Sequence, residues 1–201
     1  MKMSSLDRLL LLLMCLLAAY QIVVGIDGMD GLPITAYTIG FGVLLVAGLL
    51  LIILGFDALE SPVVVIVSTL IPLSLSLGLV WEHLAALQRL YLIFTILGFA
   101  AVLLTRSLSL ENRVPAITIA IVHGISGLTI FLLPVILSLQ GETKPLFALV
   151  GAGGALIGLG GLLLSFLKTG RPILSRETIL KLFPGLLLLT TALFVAGFKF
   201  G

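Results

Sequence analysis

The chain has one cysteine, two histidines, 11 basic and 9 acidic residues in a length of 201. Each scarcity excludes something. With Cys15 alone, a disulfide or a thiolate metal cluster within the chain is ruled out. Charged residues make up 10% of the sequence, against about a quarter in soluble domains, so a large buried core in water does not explain the composition. No acidic residue falls inside a long apolar run: the nine, from Asp7 to Glu177, sit at or beyond the run ends. That argues against a proton- or sodium-coupled carrier built on a buried acid.

What is present is apolar. Hydrophobic residues reach 60% and mean hydropathy is +1.34. Seven runs, at about 8–24, 34–56, 62–80, 84–105, 114–139, 145–167 and 179–198, are each near the ~20 residues a helix needs to cross the hydrocarbon. Runs such as Val43–Ile53 lack the period-two alternation of a barrel strand, and an open strand edge in lipid would leave backbone groups unpaired. The sequence therefore predicts an all-α, polytopic bundle of seven transmembrane helices in a single domain, residues 1–201, surrounded by lipid bilayer.

Orientation follows from Lys and Arg. Lys2, Arg8, Arg106, Arg113, Lys168, Arg171, Arg176 and Lys181 fall on one side, and Arg89, Lys144 and Lys199 on the other. The positive-inside rule then predicts a cytoplasmic N-terminus and an outer C-terminus in a cytoplasmic-type membrane. The first run continues to Val24 without a small-x-small site, which predicts an uncleaved anchor. In the outer turn Gly25–Pro33, Asp27 and Asp30 lack the further oxygen ligands of a calcium loop and read as solvated.

Pro62, Pro115 and Pro172 follow Tyr37, Tyr91 and Phe147 by 24 or 25 residues, a pattern of one helix followed by three hairpins. The stretch from Gly55 to Pro62, glycine before a short turn and then proline, resembles the small HdeD-type acid-resistance membrane proteins. The likeness covers only those residues and carries no function.

Small residues set the expected packing. Gly151, Gly154, Gly158 and Gly161 form one stripe on span six, and Gly153 and Gly160 a second face. Ala116, Ala120, Gly124 and Gly127 form a ribbon on span five. Helices approach closely along such faces, so spans five and six are expected to pack together, with span six touched on two sides.

One titratable group lies near the midplane: His123, nine residues into span five, about 13 Å deep at 1.5 Å per residue. Ser126 lies one turn on. In span three, Pro72 frees the carbonyl of Ser68, and Thr69, Pro72 and Ser76 share a face. These six residues predict a polar seam between spans three, five and six, or else hydroxyls that bond back to their own helices. Gly124-Ile-Ser-Gly127 resembles the nucleophile motif of rhomboid intramembrane proteases over four residues. Such a serine needs a histidine base on a later helix, and both His83 and His123 precede Ser126. The two histidines differ in depth by roughly half a bilayer, too far apart to clamp a haem. Glu82 and His83 read as a solvated turn beside the interfacial anchor Trp81.

Two functions of different class are expected: a small carrier or channel for a neutral or weakly polar solute, and a non-catalytic accessory subunit of a membrane complex or homo-oligomer. An intramembrane enzyme ranks third. No cofactor, metal or nucleic-acid partner is expected.

Overall fold

A computed structural model describes residues 3–108, 113–168 and 174–201, with side chains omitted at Glu60, Leu162 and 165–168. Lys2, Arg171 and Pro172 lie outside the described residues. Among those described there are helices and turns and no strand: α1 (Ser5–Val24), α2 (Gly31–Leu54), α3 (Pro62–Ser68), α4 (Leu70–His83), α5 (Gln88–Ser107), α6 (Val114–Gln140), α7 (Ala148–Lys168) and α8 (Arg176–Phe200). Six helical segments are long and apolar enough to cross a membrane, and a seventh apolar stretch, Pro145–Gly161, is shorter among the described residues. Their length and composition are those of an integral membrane protein.

Local chemistry sets the helix ends. Ser4 and Asp7 form a reciprocal capping box at the start of α1: the Ser4 amide donates to Asp7 Oδ2 at 2.8 Å, and the Asp7 amide to Ser4 Oγ at 3.1 Å. That bonding accounts for a carboxylate only 6% exposed on an apolar helix. Gly141 ends α6 in the left-handed region, φ 76°, and the Glu142 amide donates back to the Leu137 carbonyl at 3.0 Å. A side chain at 141 would strain this cap, which aims 142–144 back over the bundle.

Span three is not one rod. It breaks at Thr69, between α3 and α4, three residues before Pro72. Proline lacks an amide hydrogen and its ring crowds the carbonyl four residues back, which is that of Ser68. The Ser68 and Thr69 hydroxyls donate to the Val65 carbonyl at 3.1 and 2.9 Å and occupy the loosened turn. Pro134 and Pro184, in contrast, sit inside unbroken helices.

Packing is cyclic. α1 lies against α2, α2 against α4, α4 against α6, α6 against α7, α7 against α8, and α8 against α1. Six helices thus close a ring. α5 packs outside it against α4 and α6, burying only Gly98 and Val102 of its own residues. The hairpins α2–α4, α5–α6 and α7–α8 are each packed pairs, but with α5 outside the ring they do not repeat in space.

Close approach depends on glycine, since lipid supplies no hydrophobic drive between helices and dispersion contacts must. A Cβ at Gly48 would run into Met14 Cε, and one at Gly78 would lie 2.7 Å from the Tyr37 ring. At Gly151 it would sit 2.5 Å from the Phe131 carbonyl oxygen, and at Gly154 2.7 Å from Ile130 Cγ2. At Gly153 it would sit 2.8 Å from the Phe194 ring, and at Gly160 3.0 Å from Leu186. One side of α7 is therefore fitted to α6 and another to α8.

The small-residue ribbon does not continue along the whole α6–α7 pair. Among the described residues nothing lies within 4 Å of a Cβ at Gly124, Gly127 or Gly158. The two helices grip each other near the 141–147 turn, and these three glycines, farther from that turn, meet no described neighbour at that distance.

Candidate functional site

At one end of the ring α1, α4, α6 and α8 finish, and α2 and α7 begin. Lys199, near the end of α8, donates a hydrogen bond to the Tyr20 hydroxyl near the end of α1, which fixes these ends side by side. A cavity of about 500 Å³ opens there. Its rim carries Asp27, Glu142 and Lys144, its wall His83, and its floor Phe147 and Phe198. The α1–α2 turn, the end of α4, the α6–α7 turn and the end of α8 all contribute. Because the lining comes from all sides of the ring, the cavity sits on its axis and not on its lipid-facing perimeter.

The floor is aromatic. The Phe198 ring lies 4.6 Å from that of Tyr37 and 6.2 Å from those of Phe41 and Phe147, centroid to centroid. Phe147 meets the His83 imidazole at 5.3 Å, and Phe41 meets Phe194 edge-on at 6.4 Å. Such pairs are each worth about 0.5–1.5 kcal/mol beyond their contact area. Together they make a plug one to two turns thick between the cavity and the bundle interior. The Tyr37 hydroxyl and His83 Nε2 are buried with no hydrogen-bond partner among the described residues. The rim follows from local backbone: Gly25, Gly28 and Gly31 all have positive φ in the turn that presents Asp27, and the Gly141 cap presents Glu142 and Lys144.

Below the plug, the predicted seam residues divide. Ser76 Oγ donates to the Pro72 carbonyl at 2.6 Å, and Ser68 and Thr69 to that of Val65. These hydroxyls are held by their own helices. Ser126 differs: it is fully buried, and its Oγ has no partner among the described residues. Thr190 on α8 is alike in both respects. Leu73 and Val122 both flank Gly98, so they are level, and one turn farther along Ser76 and Ser126 are level too. His123 is half-buried, and its Nδ1 has no hydrogen-bond partner among the described residues.

Sequence reasoning missed the cavity. Its polar residues are scattered over two connectors and one helix end, and they look solvated when taken one at a time. The turn around Asp27 and the Glu82-His83 pair both read that way, yet Asp27 and His83 line one cavity. The available signal was that the flanking apolar runs, alternating in direction, put Asp27, His83, Glu142 and Lys144 on the same side. Among the described residues no cluster of three or more metal-ligating side chains is present.

No protein-family profile, curated protein or solved structure matches the chain.

Proposed function

We propose that the chain is a carrier or channel of seven crossings that passes a small uncharged or weakly polar solute along the axis of the six-helix ring. By the distribution of Lys and Arg, its N-terminus faces the cytoplasm and the cavity faces outside. The observation that carries this reading is the pair of fully buried hydroxyls, Ser126 and Thr190, that have no partner among the described residues. Ser74, Ser76, Thr69 and Thr191 all donate to a carbonyl of their own helix. A buried hydroxyl left without a partner costs about 1–3 kcal/mol, a cost that a polar atom of a passing solute removes. The want of any acidic residue inside the apolar runs matches a solute that crosses without charge.

The test is solute flux into proteoliposomes, followed by light scattering with urea, glycerol and small diols. The protein is expected to raise flux for at least one of them above that of protein-free vesicles. Ser126→Ala should lower that flux by about 2- to 10-fold, the worth of one hydrogen bond. Ser126→Leu should abolish it, with helicity unchanged by circular dichroism. Flux equal to that of empty vesicles across the panel rejects the reading.

A second reading, a non-catalytic subunit of a membrane complex, is favoured by one observation: among the described residues nothing approaches within 4 Å of a Cβ at Gly124, Gly127 or Gly158. Small uncovered faces suit a partner helix. It requires that Gly158→Leu disrupt co-purification with a membrane partner while leaving the isolated chain's melting temperature unchanged.

A further inference from the structure

We propose that the axial cavity is a binding site for a small organic ammonium ion bearing an apolar or aromatic group. Four observations converge on that chemistry. The rim holds two carboxylates, Asp27 and Glu142, against one ammonium, Lys144. The helices that end here, α1, α4, α6 and α8, outnumber the three that begin, α2, α5 and α7, and α5 stands outside the ring. Helix C-termini carry partial negative charge, so the backbone adds to the field that favours a cation. The floor is apolar, made by the buried rings of Phe147 and Phe198 and walled by Ile26. Rings of this kind accept both a hydrocarbon group and the positive face of an ammonium. Lastly, His83 Nε2 is buried in the wall without a partner among the described residues. A cavity of about 500 Å³ has the volume usual for a small-molecule site.

The axial position separates a dissolved amine from a lipid headgroup. An aminolipid reaches a site from the perimeter, with its chains in the bilayer. This cavity is ringed on all sides by helix ends and turns, so its ligand comes from the water outside. The inference rests on the carrier reading only in taking this ligand to be the solute carried, since an amine in its uncharged form is weakly polar. Binding itself is measured without transport.

The probe is phenethylammonium at neutral pH, titrated into the full chain in detergent, with Trp81 as reporter. It is the only tryptophan and stands two residues before His83. Saturable binding is expected, about five-fold tighter than for phenethyl alcohol and tighter still than for phenylacetate. Asp27 and Glu142 are exposed, so Asp27→Asn with Glu142→Gln leaves folding intact. That double variant should weaken phenethylammonium about five-fold and leave the alcohol unchanged. Phe147→Ala should weaken both, and Ser126→Ala, below the plug, neither. An aminolipid in nanodiscs is expected not to compete.

Equal affinity for the alcohol, a response unchanged in the double variant, or a signal that rises linearly as for micelle partition would overturn the proposal. Competition by the aminolipid would overturn the assignment to a dissolved amine. Amine binding without any solute flux would sink the carrier reading and leave this one standing. Flux without amine binding would do the reverse.

Discussion

Phe198→Ala is expected to lower stability by about 3 kcal/mol and to join the axial cavity to the bundle interior. The ring is 7% exposed and meets Tyr37, Phe41 and Phe147 at once, tilted or edge-on, so truncation removes three aromatic pairs and leaves a void among them. Buried Phe→Ala changes in water-soluble cores cost about 3–5 kcal/mol, part of which is transfer from water. That part is smaller where lipid is the alternative surrounding, which puts the expected value at the low end. The second effect is on access. With the plug breached, Tyr37 and Thr190 should become reachable from the cavity side. Solute flux should rise several-fold over the unmodified chain while selectivity among small diols falls. Thermal unfolding in detergent and the proteoliposome assay check the two effects separately. A variant that melts as the parent does, with unchanged flux, would show that the aromatic cluster is neither keystone nor barrier.

Gly151→Leu should damage the fold about as much. A Cβ there would already lie 2.5 Å from the Phe131 carbonyl oxygen and 2.6 Å from Val135 Cγ2. The first of these is backbone and cannot rotate away, so α6 and α7 must separate along their tightest contact. Overpacking typically costs about 1–3 kcal/mol, and this site belongs at the top of that range because two helices have to move. Gly158→Leu, seven residues along the same helix, meets nothing within 4 Å and is expected to be close to neutral in the isolated chain. Melting temperatures of the two variants, measured side by side, test whether α6 and α7 are held together at one end only.

The apolar runs made the helical architecture legible, because lipid leaves the backbone no alternative to helices at this composition. Span boundaries shifted by a few residues at polar ends: α1 begins at Ser5, where the Ser4–Asp7 box carries it past the first charged residues, and α8 begins at Arg176, capped by Ser175. The break near Pro72 could be read from the proline, since one missing amide and one ring clash act locally. The cyclic order could not. Nothing in the run of Gln88–Ser107 says that α5 stands outside the ring, because a lipid-facing helix and a bundle-facing helix are equally apolar. The tight glycines Gly40, Gly48 and Gly78 were missed for a related reason: what makes each necessary is a side chain on another helix, such as Tyr37 opposite Gly78. In the site, His123 drew attention as a midplane histidine, whereas Ser126 and Thr190 stand apart only once the hydrogen bonds of every other hydroxyl are known.

The one-ended grip of α7 on α6 gives the bundle a fulcrum. From Ile130, at the Gly154 contact, α6 runs on sixteen residues to Val114, a lever of about 24 Å at 1.5 Å per residue. A rigid swing of about 10° around that point would carry the tip some 4 Å and the Gly141 turn, on the opposite arm, about 3 Å the other way. Leverage of this kind would tie the two ends of α6 to each other, so that a push at one end of the ring is felt at the other.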